Sequence, residues 1–92
     1  MFKYQPLREF LSRQLADRVE RSFEQLRDED IIGIELPESA YTHVQWWSNE
    51  HSEVTRHVQC RAWLDAGWRV DSVDLAAQRV TFVRVSYAKT HA

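Results

Sequence analysis

The sequence predicts an α+β fold: a small single domain over residues 1–92, of three to four helices with a C-terminal antiparallel β-hairpin, winged-helix-like in order. Three observations predict it. Apolar residues recur at helical spacing in "PLREFL" and again in "CRAWLDAG". They alternate in "WRVDSVDLAAQRVTFVRV", and the two glycines, Gly33 and Gly67, stand where helical patterns stop.

Taken in order, Pro6 suits a first helical turn, and Leu7, Phe10 and Leu11 give one apolar stripe, so a helix is expected over 6–15. "ADRVER" reads as a connector with room for a brief strand at Val19. Ser22 and Gln25 match the S-x-x-Q capping box, in which each residue's side chain satisfies the other's backbone N–H. A second helix is expected over 23–32, closed by Gly33. After the turn at Pro37, a short helix near 38–42 should run into an extended piece at 43–47, with Thr, Val and Trp suiting a strand there. Ser52 is placed to cap a helix through "EVTRHVQCRAWLDAG", which carries Cys60, Trp63 and Leu64 on one face and Val54, Val58 and Ala62 on another. Two strands follow, with a turn around 76–78. In the first, Trp68 and Val70 share one parity and Val73 and Leu75 the other, which predicts a bulge near Asp71 and Ser72.

Adjacent tryptophans at 46 and 47 cannot easily share one environment. In an extended segment Trp46 sides with Val44 and enters the core, leaving Trp47 outside with Gln45 and Asn49; alternatively, both lie between two layers.

Charge narrows the function classes. The net charge of −2 argues against strong non-specific nucleic-acid binding. Its distribution is uneven: residues 1–50 carry ten acidic and six basic side chains, 51–92 four and six, and ten of the twelve cations are arginine. Arginine suits bidentate contacts to carboxylate, phosphate or base edges. No apolar run is long enough to span a membrane, and the charged start "MFKYQPLREF" lacks a leader's apolar centre. With a single cysteine, a reducing, cytoplasmic setting is expected.

From "LPESAYTHVQWWSNE" to "AWLDAGWRVDSVDLAAQRVTFVRV" the chain resembles a family of small bacterial and phage domains of unassigned activity. Their pattern runs L-P-x-S-A-R, W-W-x-N, A-W-L-x-A-G-W-x-V-x-x-V-D-L and V-x-F-x-R. Leu36, Pro37, Ser39, Ala40, Trp46, Trp47 and Asn49 match it, as does most of the run from Ala62 to Arg84. Members stand alone or are joined to nuclease-like and restriction-related domains, so the resemblance implies a nucleic-acid-associated accessory role in a defence or counter-defence setting and supplies no catalytic residue. Two departures matter: Tyr41 replaces the pattern's arginine, and the acidic "RDED" stretches the second helix.

The residues offer little catalytic chemistry. His43, His51, His57 and Cys60 lack the four-ligand spacing of a zinc site. Cys60 with His57 is the one nucleophile–base pair, on a face better suited to packing. Two distant glycines build no phosphate loop, so neither enzyme activity nor a cofactor is expected. Two partner classes remain. Arg56 and Arg61 on the last helix, with Arg69, Arg79 and Arg84 on the hairpin, form a candidate nucleic-acid surface. Tyr41, Trp47 and Asn49, with Asp28, Glu29 and Asp30, form a candidate protein-binding surface. Its partner would be a nucleic-acid-binding protein complex that the domain inhibits by mimicking phosphate. An exposed tryptophan and a hairpin edge would also invite a homodimer.

Overall fold

The computed structural model describes residues 4–49 and 59–85. Helix α1 (Gln5–Ser12) begins with Pro6 in its first turn and buries Leu7 and Leu11. It stops short of the expected 15, because the Ser12 hydroxyl donates back to the Arg8 carbonyl and the Gln14 amide to that of Phe10, leaving Leu15 in solvent.

The chain then enters strand β1 (Arg18–Ser22), whose Val19 is its buried residue. Ser22 closes β1 and caps α2 (Phe23–Leu26): its hydroxyl accepts from the Gln25 N–H at 3.0 Å while Gln25 Oε1 accepts from the Ser22 N–H at 2.8 Å. The capping box stands where the sequence places it, but the helix ends after one turn rather than at 32. Asp28 ends it: its carboxylate accepts from the Asp30 N–H, and its carbonyl from the N–H groups of Ile31 and Gly33. A side chain that competes for backbone donors turns the chain out of the helix. Gly33, at φ +80°, supplies the left-handed residue that this turn requires.

Helix α3 (Glu38–Thr42) leads into a 3₁₀ helix at Val44–Trp47, which replaces the extended piece expected there. Helix α4 (Cys60–Leu64) ends before the expected stop and gives way to a turn over 65–67, in which Gly67 takes φ +84°. The proposed cap Ser52 and the face of Val54 and Val58 lie outside the described residues.

Strands β2 (Trp68–Asp74) and β3 (Arg79–Arg84) pair antiparallel across the turn at 75–78. The register slips between Val70 and Ser72, so Asp71 is the bulged residue and the phase switch in the sequence has its structural cause. β1 adds to the far side of β3, giving a three-stranded antiparallel sheet in the order β1-β3-β2 rather than an isolated pair.

One sheet face carries Val19, Trp68, Val70, Val80 and Phe82 and packs under the helices, with the Trp63 and Phe82 rings 5.6 Å apart. The other carries Arg18, Glu20, Arg69, Asp71, Arg79 and Thr81. No helix among the described residues is long and apolar enough to cross a membrane. Among the described residues, four α-helices and one 3₁₀ helix with this sheet make a mixed α+β domain.

Candidate functional site

The aromatic half of the expected protein-binding surface lies inside the protein. Trp47 is 2 % exposed; its indole N–H donates to the Ala40 carbonyl at 2.9 Å, and its ring stacks between Phe23 (5.0 Å) and Trp63 (6.1 Å). Trp46 is half-buried, edge-on to Trp47 at 4.7 Å and to Tyr4 at 5.9 Å. This reverses the first of the two expected placements and lies nearer the second, in which both rings pack between layers. In a 3₁₀ helix successive side chains diverge by a third of a turn instead of pointing oppositely, so both rings reach one core. Tyr41 is half-buried, edge-on to Phe23 at 5.4 Å.

Asn49, expected on the outer face, is an internal clamp. Its Nδ2 donates to the Val70 carbonyl, and its Oδ1 accepts from the Val70 N–H and from the Trp63 indole, each at 2.9 Å. The W-W-x-N signature thus builds the hydrophobic core and joins α4 to β2.

The arginines divide. Arg61 sits on α4, 3.7 Å from Asp65. Arg69 and Arg79 lie on the open sheet face, Arg69 at 3.4 Å from Asp71 and Arg79 at 3.4 Å from Glu20. Asp71 also meets Arg18 across the central strand at 3.6 Å, a pairing of residues too far apart in the chain for any spacing pattern to link. Arg84 belongs to the opposite face. Its guanidinium lies over the Trp68 ring at 4.7 Å, donates to Asp17 at 3.0 Å and also reaches the carbonyls of Gln14 and Ala16. It ties the α1–β1 connection to the sheet. Arg56 lies outside the described residues. Each described arginine of the expected nucleic-acid surface is thus already matched to a carboxylate, and the four do not form one face.

The acidic group is what remains outward. Asp28, Glu29 and Asp30 are exposed, on a loop pinned from beneath by buried Ile31 and Ile32 and held in shape by the Asp28 turn. Glu24, Glu35 and Glu38 are exposed in the same region, and Arg27, bonded to Glu35 at 3.0 Å, is its single cation between 24 and 38. Beside Asp28 runs an open groove lined by Glu24, Arg27, Asp28, Gly33, Ile34 and Glu35, in which Ile34 is a partly exposed apolar side chain. These neighbours were readable in composition alone: residues 24–38 hold six carboxylates and one arginine.

Elsewhere, Cys60 is fully buried. The His43 ring nitrogen is 2.7 Å from the Thr42 hydroxyl, and His51 and His57 lie outside the described residues. Among the described residues no three His, Cys, Asp or Glu side chains group as a metal site would.

Comparison with known proteins finds no matching curated protein and no matching solved structure. The model of one protein family does match, over residues 4–86, and the chain therefore belongs to that family, described as a domain of unknown function (DUF7662).

Proposed function

We propose that this domain is a non-enzymatic binding module that receives a basic protein surface on its acidic loop. The observation that supports it is the asymmetry of charge: residues 24–38 carry six exposed carboxylates and one arginine, with Arg21 as a further cation beside Asp28 and Asp30, while Arg61, Arg69, Arg79 and Arg84 are already matched by their own acids. A fixed concentration of like charge steers an oppositely charged partner and selects its orientation. Ile34, beside the groove, adds an apolar anchor within the charged field.

In the nucleic-acid-associated, bacterial or phage defence setting that the sequence resemblance implies, the fitting partner is a nucleic-acid-binding protein. Its cationic surface would otherwise hold phosphate, and occupying that surface would inhibit a defence nuclease. Tyr41 in place of the pattern's arginine is consistent with this reading. The test uses the full chain with nuclease-treated lysate and with a purified polyarginine peptide as basic probe. Binding should weaken steeply with salt, be lost in Glu29→Lys/Asp30→Lys and survive in Arg61→Glu. Equal binding by the charge-reversed variant refutes the reading.

A second reading rests on the open sheet face, which carries Arg18 and Arg69, both opposite Val83, and Arg79 at the far end of β3. In a winged-helix-like arrangement, α4 with Arg61 and the β2–β3 connection would approach nucleic acid. Phosphate would have to displace Glu20 and Asp71 from these arginines. Titration of duplex and single-stranded DNA at about 50 mM salt, where phosphate contacts are strong, tests it; absence of binding there removes it.

A further inference from the structure

Among the described residues the three-stranded sheet has two edges with no further strand, and an uncovered edge is a template for another strand. Asn49 lies on one of them. Its side-chain amide offers one N–H and one C=O to the same residue, Val70 of β2, and fills both at 2.9 Å. This is the pairing that a residue of a neighbouring antiparallel strand makes with its opposite number. The Trp63 indole N–H, donating to the same Asn49 oxygen, fixes the amide's orientation. Just beyond Val70 comes the bulge at Asp71, which breaks the regular repeat of the edge. The opposite edge is treated alike: the Glu20 carbonyl of β1 accepts from the Arg21 guanidinium at 2.8 Å, and the Ser22 N–H is taken by Gln25.

We infer that Asn49 acts as a one-residue substitute strand that prevents the domain from pairing through β2 with a second copy of itself. The occupant that it excludes is the β2 strand of another chain, running antiparallel about a two-fold axis, because a homologous edge is self-complementary. Association through the β2 edge at Val70 is therefore opposed by this amide.

Sedimentation velocity of the full chain across a wide concentration range tests the inference, with amide hydrogen exchange at Val70 as a second readout. Wild type should show no dimer formed through β2, and its Val70 N–H should exchange slowly. Asn49→Ala should shift from monomer to dimer with rising concentration, and its Val70 amide should exchange fast when dilute and slowly when concentrated. Leu11→Ala, which loosens the core at α1 and leaves the Asn49 amide in place, should remain monomeric. If Asn49→Ala does not fold, Asn49→Ser carries the test, since serine is too short to fill both Val70 groups. In that case a peptide copying residues 68–74 should bind the serine variant and not the wild type. A folded Asn49 variant that stays monomeric and ignores the peptide overturns the inference, as does equal self-association by Leu11→Ala.

Discussion

The side-chain amide of Asn49 closes two hydrogen bonds on the backbone of Val70, twenty-one residues further along the chain. A third bond, from Trp63, ends on the same oxygen. Removing the amide strands three partly buried polar groups at once. Each unsatisfied group costs about 1–3 kcal/mol, reduced wherever water can reach it, so Asn49→Ala should lose about 2–4 kcal/mol in urea denaturation. Asn49→Asp keeps both acceptor bonds and gives up the donor to Val70, and should fall between alanine and wild type. A loss below about 0.5 kcal/mol for alanine, the range of ordinary surface substitutions, would show that the clamp does not hold the fold.

Trp46 and Trp47 should separate in solution despite being neighbours. Trp47 is buried and donates its indole N–H to Ala40, whereas Trp46 is half-buried against Tyr4. Trp47→Phe removes a buried bond and leaves a void, and should cost about 1–3 kcal/mol. Trp46→Phe should cost less and preferentially remove the fraction of tryptophan fluorescence that acrylamide quenches. Equal quenching losses in the two variants would contradict the 3₁₀ placement of this pair.

Arg84 and Arg79 share a strand and differ in role. Arg84 is 28 % exposed, lies on Trp68 and bonds to Asp17 and two carbonyls; Arg79 is 45 % exposed and faces only Glu20 among the ion pairs. An exposed pair contributes little, typically 0 to about 1 kcal/mol. Arg79→Ala should therefore move the urea midpoint slightly, whereas Arg84→Ala exposes Trp68 and frees two carbonyls, and should cost about 1–3 kcal/mol. Arg84→Lys should recover only part of that, since an ammonium lacks the planar fork. Similar midpoints for the two alanine variants would reject the division of roles.

The local chemistry of this chain was legible in its sequence, and its long-range chemistry was not. The Leu7–Leu11 stripe, the Ser22–Gln25 box, the turn at Gly67 and the bulge beside Ser72 each depend on residues a few positions apart, and each stands where the pattern puts it. β1 was visible only as Val19, because five residues with one buried apolar side chain barely show alternation. Arg79–Glu20 and Arg84–Asp17 join residues 59 and 67 positions apart, so no spacing rule links them, and arginines that looked available in sequence are paired in the fold. The tryptophan pair leaves two placements open for a local reason: a 3₁₀ turn and a strand suit the same short run, but they direct neighbouring side chains differently, and the 3₁₀ turn brings both rings to the core. Of the candidate surfaces, the acidic loop was the legible one, since a dense run of carboxylates has no apolar core to enter.

Tyr4 makes alkaline stability a readout of the α1 end of the core. The residue is 4 % exposed, and burial pushes its phenol above the usual value of about 10. Below pH 10 the phenol is neutral in both folded and unfolded chains and adds no pH dependence. Above pH 10 the unfolded chain releases this proton first, so the folded state holds more protons and stability falls as pH rises, until the folded phenol also ionises. Tyr4→Phe cannot titrate. Comparing each protein with itself, between pH 8 and about pH 11, cancels any bond that the hydroxyl makes in the neutral state. Wild type should lose more of its urea midpoint over that interval than the phenylalanine variant. If both lose the same amount, ionisation of buried Tyr4 is not what weakens the fold at high pH.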